Sequence, residues 1–101
     1  MKAVGVIGAG KADKEISEIA EEVERLLAKE GIIVITGGLG GVIESACKGA
    51  FLEGGITVGI LPTVKKEDAN SYVKIVIPTG MGEMRNVLIV RTSDVLIAIG
   101  G

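Results

Sequence analysis

The chain has 101 residues, a formal net charge of -2 from 11 Lys and Arg against 13 Asp and Glu, and a composition that is 48% hydrophobic but 2% aromatic. So even a charge balance, with only Phe51 and Tyr72 carrying rings, argues against a nucleic-acid surface, which needs clustered cations and stacking platforms. A single cysteine, Cys47, and no histidine exclude an intrachain disulfide and a His/Cys zinc site, and no other metal-ligand set stands out.

At this length, residues 1–101 are read as a single domain with one core, built from Val, Ile, Leu and Ala. The first apolar segment runs from Ala3 to Gly10, but three glycines interrupt it and KADKE follows at once. That is too short and too broken for a signal peptide or a membrane span, so a cytoplasmic protein with no membrane partner is expected. Ala3 to Ile7 reads as a buried strand. The period then changes, and Ile16, Ile19, Ala20, Val23, Leu26 and Leu27 fall on one helical face, with Asp13 as the cap and Gly31 as the stop.

Ile32 to Ile35 forms the second strand, TGGLGG the following loop, and Ile43, Ala46, Cys47 and Ala50 the apolar face of a second helix ended by Gly54 and Gly55. The third strand, Ile56 to Leu61, leads through Pro62 into the polar loop TVKKEDANSY, in which Lys65 to Asp68 reads as solvated. Val73 to Ile77 is the fourth strand. After TGMG comes a helix from about Glu83 to Thr92, with Met84, Val87, Leu88 and Arg91 expected on its inner face. Val95 to Ile99 is the fifth strand. Strands alternating with helices imply an α/β, Rossmann-like parallel sheet of about five strands, with helices on both faces and the order 3-2-1-4-5. Such sheets bind ligands beyond the carboxyl ends of their strands where the order reverses, which singles out the loops GAGKAD, TGGLGG and PTGMGEMR.

Each loop offers candidates. GVIGAGKA has the spacing of a phosphate-binding P-loop, with Gly8, Gly10 and Lys11 in the loop, but Ala12 stands where a hydroxyl should hold magnesium. A dinucleotide fingerprint fails too, because Asp13 replaces its third glycine and Thr36 stands where an acidic residue would hold the ribose. In TGGLGGVIES, Gly37, Gly38, Gly40 and Gly41 exceed what a turn requires; they suit backbone N–H groups converging on a phosphate at a helix N-terminus, or else close helix–sheet packing. Glu44 is spaced for an exposed ion pair with Lys48, and equally for reaching a ligand hydroxyl beside the loop. Cys47 reads as a small core residue, there being no histidine to activate it. In the third loop Thr79 and Gly80 flank the same end of the sheet. Arg85 lies in the first turn of a helix, where a cation opposes the helix dipole, and this misplacement points to an anionic partner. Asn86 and Arg91 are weaker candidates on the same helix.

The segments VGVIGAGK, GGLGGVIESACKGAFLEGGITVGILP, Asn70-Ser71-Tyr72 and PTGMGEMRNVLIVRTSDVLIAIGG together resemble the Rossmann-like family of the Lonely Guy phosphoribohydrolases, often labelled lysine decarboxylase-like. Within it the resemblance is to the molybdenum cofactor carrier-like branch, and it runs along the whole chain. It implies binding of a nucleotide or pterin-nucleotide phosphate by Gly37, Gly38, Gly40 and Gly41, with an AMP-type nucleotide or molybdopterin cofactor as ligand and Arg85 as the catalytic arginine. In the hydrolases that arginine works with a glutamate of the motif P-G-G-x-G-T-x-x-E to cleave the N-glycosidic bond of a nucleoside monophosphate.

This sequence reaches only the two glycines of that motif, Gly100 and Gly101, with Ile99 in place of its proline. The resemblance therefore implies a domain interrupted at its C-terminal end. Without the glutamate, oxocarbenium-like chemistry lacks its carboxylate, and neither Glu44 nor Glu83 is spaced as a clear substitute. Three readings stand: a module that binds a phosphorylated ligand, a phosphoribohydrolase in a longer natural form, and a carrier of molybdenum cofactor. An apolar fifth strand with no covering helix after it is a sticky edge, so a homodimer or higher homo-oligomer is expected.

Overall fold

Five strands and three α-helices make up the computed structural model, which describes residues 2–8, 11 and 13–100. The chain runs through β1 (Ala3–Gly8), α1 (Lys14–Lys29), β2 (Ile33–Thr36), α2 (Val42–Leu52), β3 (Thr57–Leu61), β4 (Ile75–Pro78), α3 (Arg85–Thr92) and β5 (Val95–Ile99). Asp13 caps α1 as expected, its Oδ1 accepting a hydrogen bond from the Ile16 amide at 2.8 Å. Gly31, at φ 76°, ends the same helix.

All strand pairings are parallel, and the α/β Rossmann-like class follows from them. The strand order is β4-β3-β2-β1-β5, which corrects the expected 3-2-1-4-5. The fourth strand stays beside the third, and the reversal lies between β1 and β5. The reason is in the loop of residues 62–74, which is long enough for a crossover of about a dozen residues without a covering helix. Its end is tied back to the start of β3: the Thr57 hydroxyl donates to the Tyr72 carbonyl at 2.6 Å and accepts from the Lys74 amide at 2.9 Å. The traverse to the far side of β1 falls instead to α3, which packs across β3, β2 and β1.

Alternation along each strand builds two apolar layers. On one face Val6, Val34 and Ile99 meet Ala20 and Ala28 of α1 and Val42, Ala46 and Ala50 of α2. On the other, Ile35 and Ile60 meet Ile89 of α3, with Leu88 beside them.

Both outer helices are rotated from their expected settings. In α1 the buried positions are Ala20, Glu24 and Ala28, while Ile19 and Leu26 are about half exposed, at 50% and 48%. Small residues lead because α1 and α2 cross closely: Gly49 of α2 abuts the Glu21 carbonyl of α1, with no room for a Cβ. In α3 the inner positions are Arg85, Leu88 and Ile89, whereas Met84, Val87 and Arg91 face outward. The Arg85 anchor described below fixes that rotation.

Candidate functional site

The carboxyl ends of β1, β2 and β3 converge under the N-termini of α2 and α3. Close approach begins at Gly8, the last residue of β1, where a Cβ would stand 2.9 Å from Cγ1 of Val42, so the first turn of α2 rests directly on the strand. Between β2 and α2 the glycine loop, residues 37–41, is held from two sides. The buried Thr36 hydroxyl accepts from the Gly38 amide at 3.0 Å and lies 3.4 Å from Sγ of Cys47. From the β3–β4 loop, Asn70 donates to the carbonyls of Gly38 and Leu39. Gly38 has φ +75°, and a Cβ there would stand 2.7 Å from Leu61, so the position requires glycine on both counts.

With Gly38 N–H engaged by Thr36, the amides from Leu39 to Ile43 donate no hydrogen bond to another described residue. They form a run of donors without acceptors among the described residues, and the run ends in the first turn of α2, whose N-cap Gly41 supplies no side-chain cap. A helix N-terminus of this kind favours a negative charge.

Arg85 closes the site from the opposite helix. Its Nη1 donates to the Gly37 carbonyl at 2.9 Å and to the Ile60 carbonyl at 2.7 Å, and its Nε donates to Oδ1 of Asn86 at 2.9 Å. The guanidinium lies against Gly37, where a Cβ would fall 2.8 Å from Cζ. Nη2 has no hydrogen-bond partner among the described residues. Burial lowers the Arg85 pKa, with the charge of Glu83 acting the other way, yet an arginine stays cationic under such a shift. The cation that sits badly with its own helix dipole thus has a local explanation: it bonds the ends of β2 and β3 and retains free donor capacity.

A cavity of about 190 Å3 occupies this corner, lined by Ile7, Gly8, Gly37, Ile43, Arg85 and Asn86 among others. It unites candidates from all three glycine-rich loops. Other candidates stand apart from its lining. Lys11 is exposed, and Thr79 spends its hydroxyl within the fold, donating to the Leu61 carbonyl at 2.6 Å and accepting from the Met81 amide at 3.1 Å. Gly80 turns the chain at φ +66° against Val64, and Gly100 follows the end of β5. Gly10, Ala12 and Gly101 lie outside the described residues.

Glu44 is exposed on the first turn of α2, and the ion pair expected with Lys48 does not form; Lys48 Nζ lies 3.8 Å from Glu21 instead. Burial pushes the Cys47 thiol pKa up, which keeps it protonated and suits a core residue. Lys65 to Asp68 is exposed, as a solvated loop should be. Two residues escaped the sequence reading: Thr36, noted only for not being acidic, and Asn70. The available signal for Asn70 was its type, since asparagine commonly bonds a backbone amide two residues on, as its Oδ1 does here with Tyr72 N at 2.9 Å.

A second hollow, of about 170 Å3, opens at the opposite end of the sheet around Gly31, Ile33, Gly54 and Gly55, and its lining carries no charged side chain. Among the described residues no cluster of His, Cys, Asp and Glu is placed to hold a metal ion, and no helix is long and apolar enough to cross a membrane.

Comparison with known proteins agrees with this architecture. An uncharacterised protein of Archaeoglobus fulgidus is 51% identical over 98 residues, which are 97% of this chain and 64% of that protein. The molybdenum cofactor binding protein from the phototrophic bacterium Rippkaea orientalis superposes with a TM-score of 0.94 at 39% identity, over 99% of this chain and 63% of its own. The molybdenum cofactor carrier protein of Chlamydomonas reinhardtii gives a TM-score of 0.90 at 36% identity, over 100% of this chain and 64% of its own. The chain thus spans just under two thirds of the length of these relatives. Residues 1–101 match the family model described as the SLOG cluster4 family. The chain belongs to that family, a Rossmann-like group of the Lonely Guy type with molybdenum cofactor carrier-like members.

Proposed function

We propose that this chain binds a phosphorylated pterin cofactor of the molybdenum cofactor type and holds it without chemistry. The observation that carries the reading is the run of amides from Leu39 to Ile43 at the start of α2, which have no acceptor among the described residues, with the Arg85 guanidinium across the same corner. Together they supply what a phosphate needs: several N–H donors, a helix N-terminus and one cation. The relatives from Rippkaea orientalis and Chlamydomonas reinhardtii, which bind or carry molybdenum cofactor, support the choice of ligand. A drug-sized ligand fills a pocket of about 300–1,000 Å3. The smaller corner here suits the phosphate end, with the rest of the ligand lying over the open carboxyl ends of β1 and β5. Gly8, Gly37, Gly40, Gly41 and Arg85 form the phosphate end in this reading, and Asn86 steadies the arginine.

Holding suits Arg85 better than catalysis. Three of its five N–H bonds already serve the fold or Asn86, which is the bonding of an anchor that lends its remaining donors to a ligand. The test is to mix the purified chain with isolated molybdenum cofactor, remove free ligand by gel filtration and measure pterin fluorescence in the protein fraction, with AMP incubated in parallel. Cofactor should stay with the protein, R85A should weaken retention about tenfold through loss of a charged hydrogen bond, and no adenine should appear. Release of adenine from AMP would replace the carrier by a phosphoribohydrolase. Absence of retained cofactor would sink the binding reading.

A further inference from the structure

We infer that Asn70 is a positioning residue, whose side chain turns the amide hydrogens of the glycine loop outward and so presents them to the ligand; this rests on the binding reading above. Asn70 comes from the β3–β4 loop, more than thirty positions away in sequence, yet it devotes almost its whole bonding capacity to this end of the sheet. Its backbone amide donates to the Gly38 carbonyl at 2.8 Å. Its Nδ2 donates to the Leu39 carbonyl at 2.8 Å and to the Gly38 carbonyl at 3.3 Å, while Oδ1 accepts from the Tyr72 amide and so fixes the orientation of the carboxamide.

The consequence follows from peptide geometry. In a trans peptide the C=O of one residue and the N–H of the next lie in one plane and point in opposite directions. Drawing the carbonyls of Gly38 and Leu39 toward Asn70 therefore directs the amides of Leu39 and Gly40 away from it, and these amides have no acceptor among the described residues. Four-glycine loops have many alternative conformations, because glycine gives up more freedom on ordering than any other residue. Most of those alternatives would turn one or both amides elsewhere. A loop held in the binding conformation before the ligand arrives avoids that ordering cost at the moment of binding.

The experiment compares the unmodified chain with N70A and N70D. N70D is nearly isosteric and keeps the acceptor for Tyr72, but it sets a carboxylate oxygen against the two loop carbonyls in place of the donor. Backbone 15N order parameters at Leu39 and Gly40 should be near 0.85 in the unmodified chain, as for rigid backbone, and should fall toward 0.6 in both variants while Val34 and Ile35 stay unchanged. Binding of AMP, used as the phosphate probe beside isolated molybdenum cofactor, should weaken about tenfold in both, the scale of one lost hydrogen bond. Unchanged order parameters in N70D would overturn the inference, as would binding that weakens in N70A but is kept in N70D, since packing alone would then explain the residue. If N70A fails to fold, N70D decides. If the unmodified chain binds neither probe, the binding reading falls by itself, and the order parameters still show whether Asn70 holds the loop.

Discussion

Glu24 lies on the stripe of α1 that faces the sheet, between Ala20 and Ala28, fully buried, and neither carboxylate oxygen has a hydrogen-bond partner among the described residues. An unpaired carboxylate in that position is costly, so burial raises its pKa from 4.5 to about 7. Because the folded state holds its proton more tightly than the unfolded chain, stability should fall as the pH rises from about 4.5 to about 7 and level off above that. The loss should be on the order of 3 kcal/mol. Urea midpoints at pH 5 and pH 8 measure it, and E24Q, which cannot ionise, should flatten the difference; an equally steep profile in E24Q would assign the pH dependence to other groups. At this scale the sequence was legible where a residue contradicts its local rule. Arg85 at the head of a helix stood out for its misplaced charge, and it bonds the Gly37 and Ile60 carbonyls. Glu24 gave no such warning, because a glutamate in KEISEIAEEVERLLAK looks like one of many solvent-facing charges, and only the rotation of the helix puts it inside.

That rotation belongs to the element scale. Sequence periodicity located α1, but its widest apolar arc, through Ile19 and Leu26, is not the buried one. The deciding contact is with α2, where Ala46, Gly49 and Ala50 present a flat, small surface to Ala20 and Ala28. Gly49 is the tightest point of the crossing, facing the Glu21 carbonyl. G49A should therefore destabilise the chain by about 1–3 kcal/mol, as overpacking does, although alanine is favoured over glycine in a helix by about 1 kcal/mol. A raised melting temperature in G49A would show that the helices can separate at no net cost. The strand order illustrates the same limit. Each strand was visible as an apolar run, but whether the fourth crosses the sheet or stays beside the third depends on Thr57 binding Tyr72 and Lys74, a pairing that no local pattern encodes. Since that loop also carries Asn70 to the glycine loop, the misplaced strand and the missed site residue have one cause.

Across the whole molecule, the reversal between β1 and β5 keeps the carboxyl-end corner open, and the helices divide two to one between the faces of the sheet. The thinly covered face leaves apolar surface in the open: Val87 and Val90 on α3 are 50% and 49% exposed and Leu96 on β5 is 41% exposed, while Val95, one residue earlier and so on the other side of that strand, is 56% exposed. The edge strand β4 adds Ile75 and Ile77, both about half exposed. Scattered apolar side chains are ordinary on a protein surface, but several on neighbouring elements beside an unpaired strand edge favour association. At micromolar concentration the chain should scatter light as a dimer or larger. V87K combined with V90K should return it to the monomer mass if α3 carries the contact, without reducing the retention of cofactor, because both valines lie on the exposed side of the helix and Arg85 on the side turned to Gly37. Replacing Ile75 and Ile77 by Lys should leave the assembly intact in that case. A monomer before any substitution would mean that these residues are merely exposed.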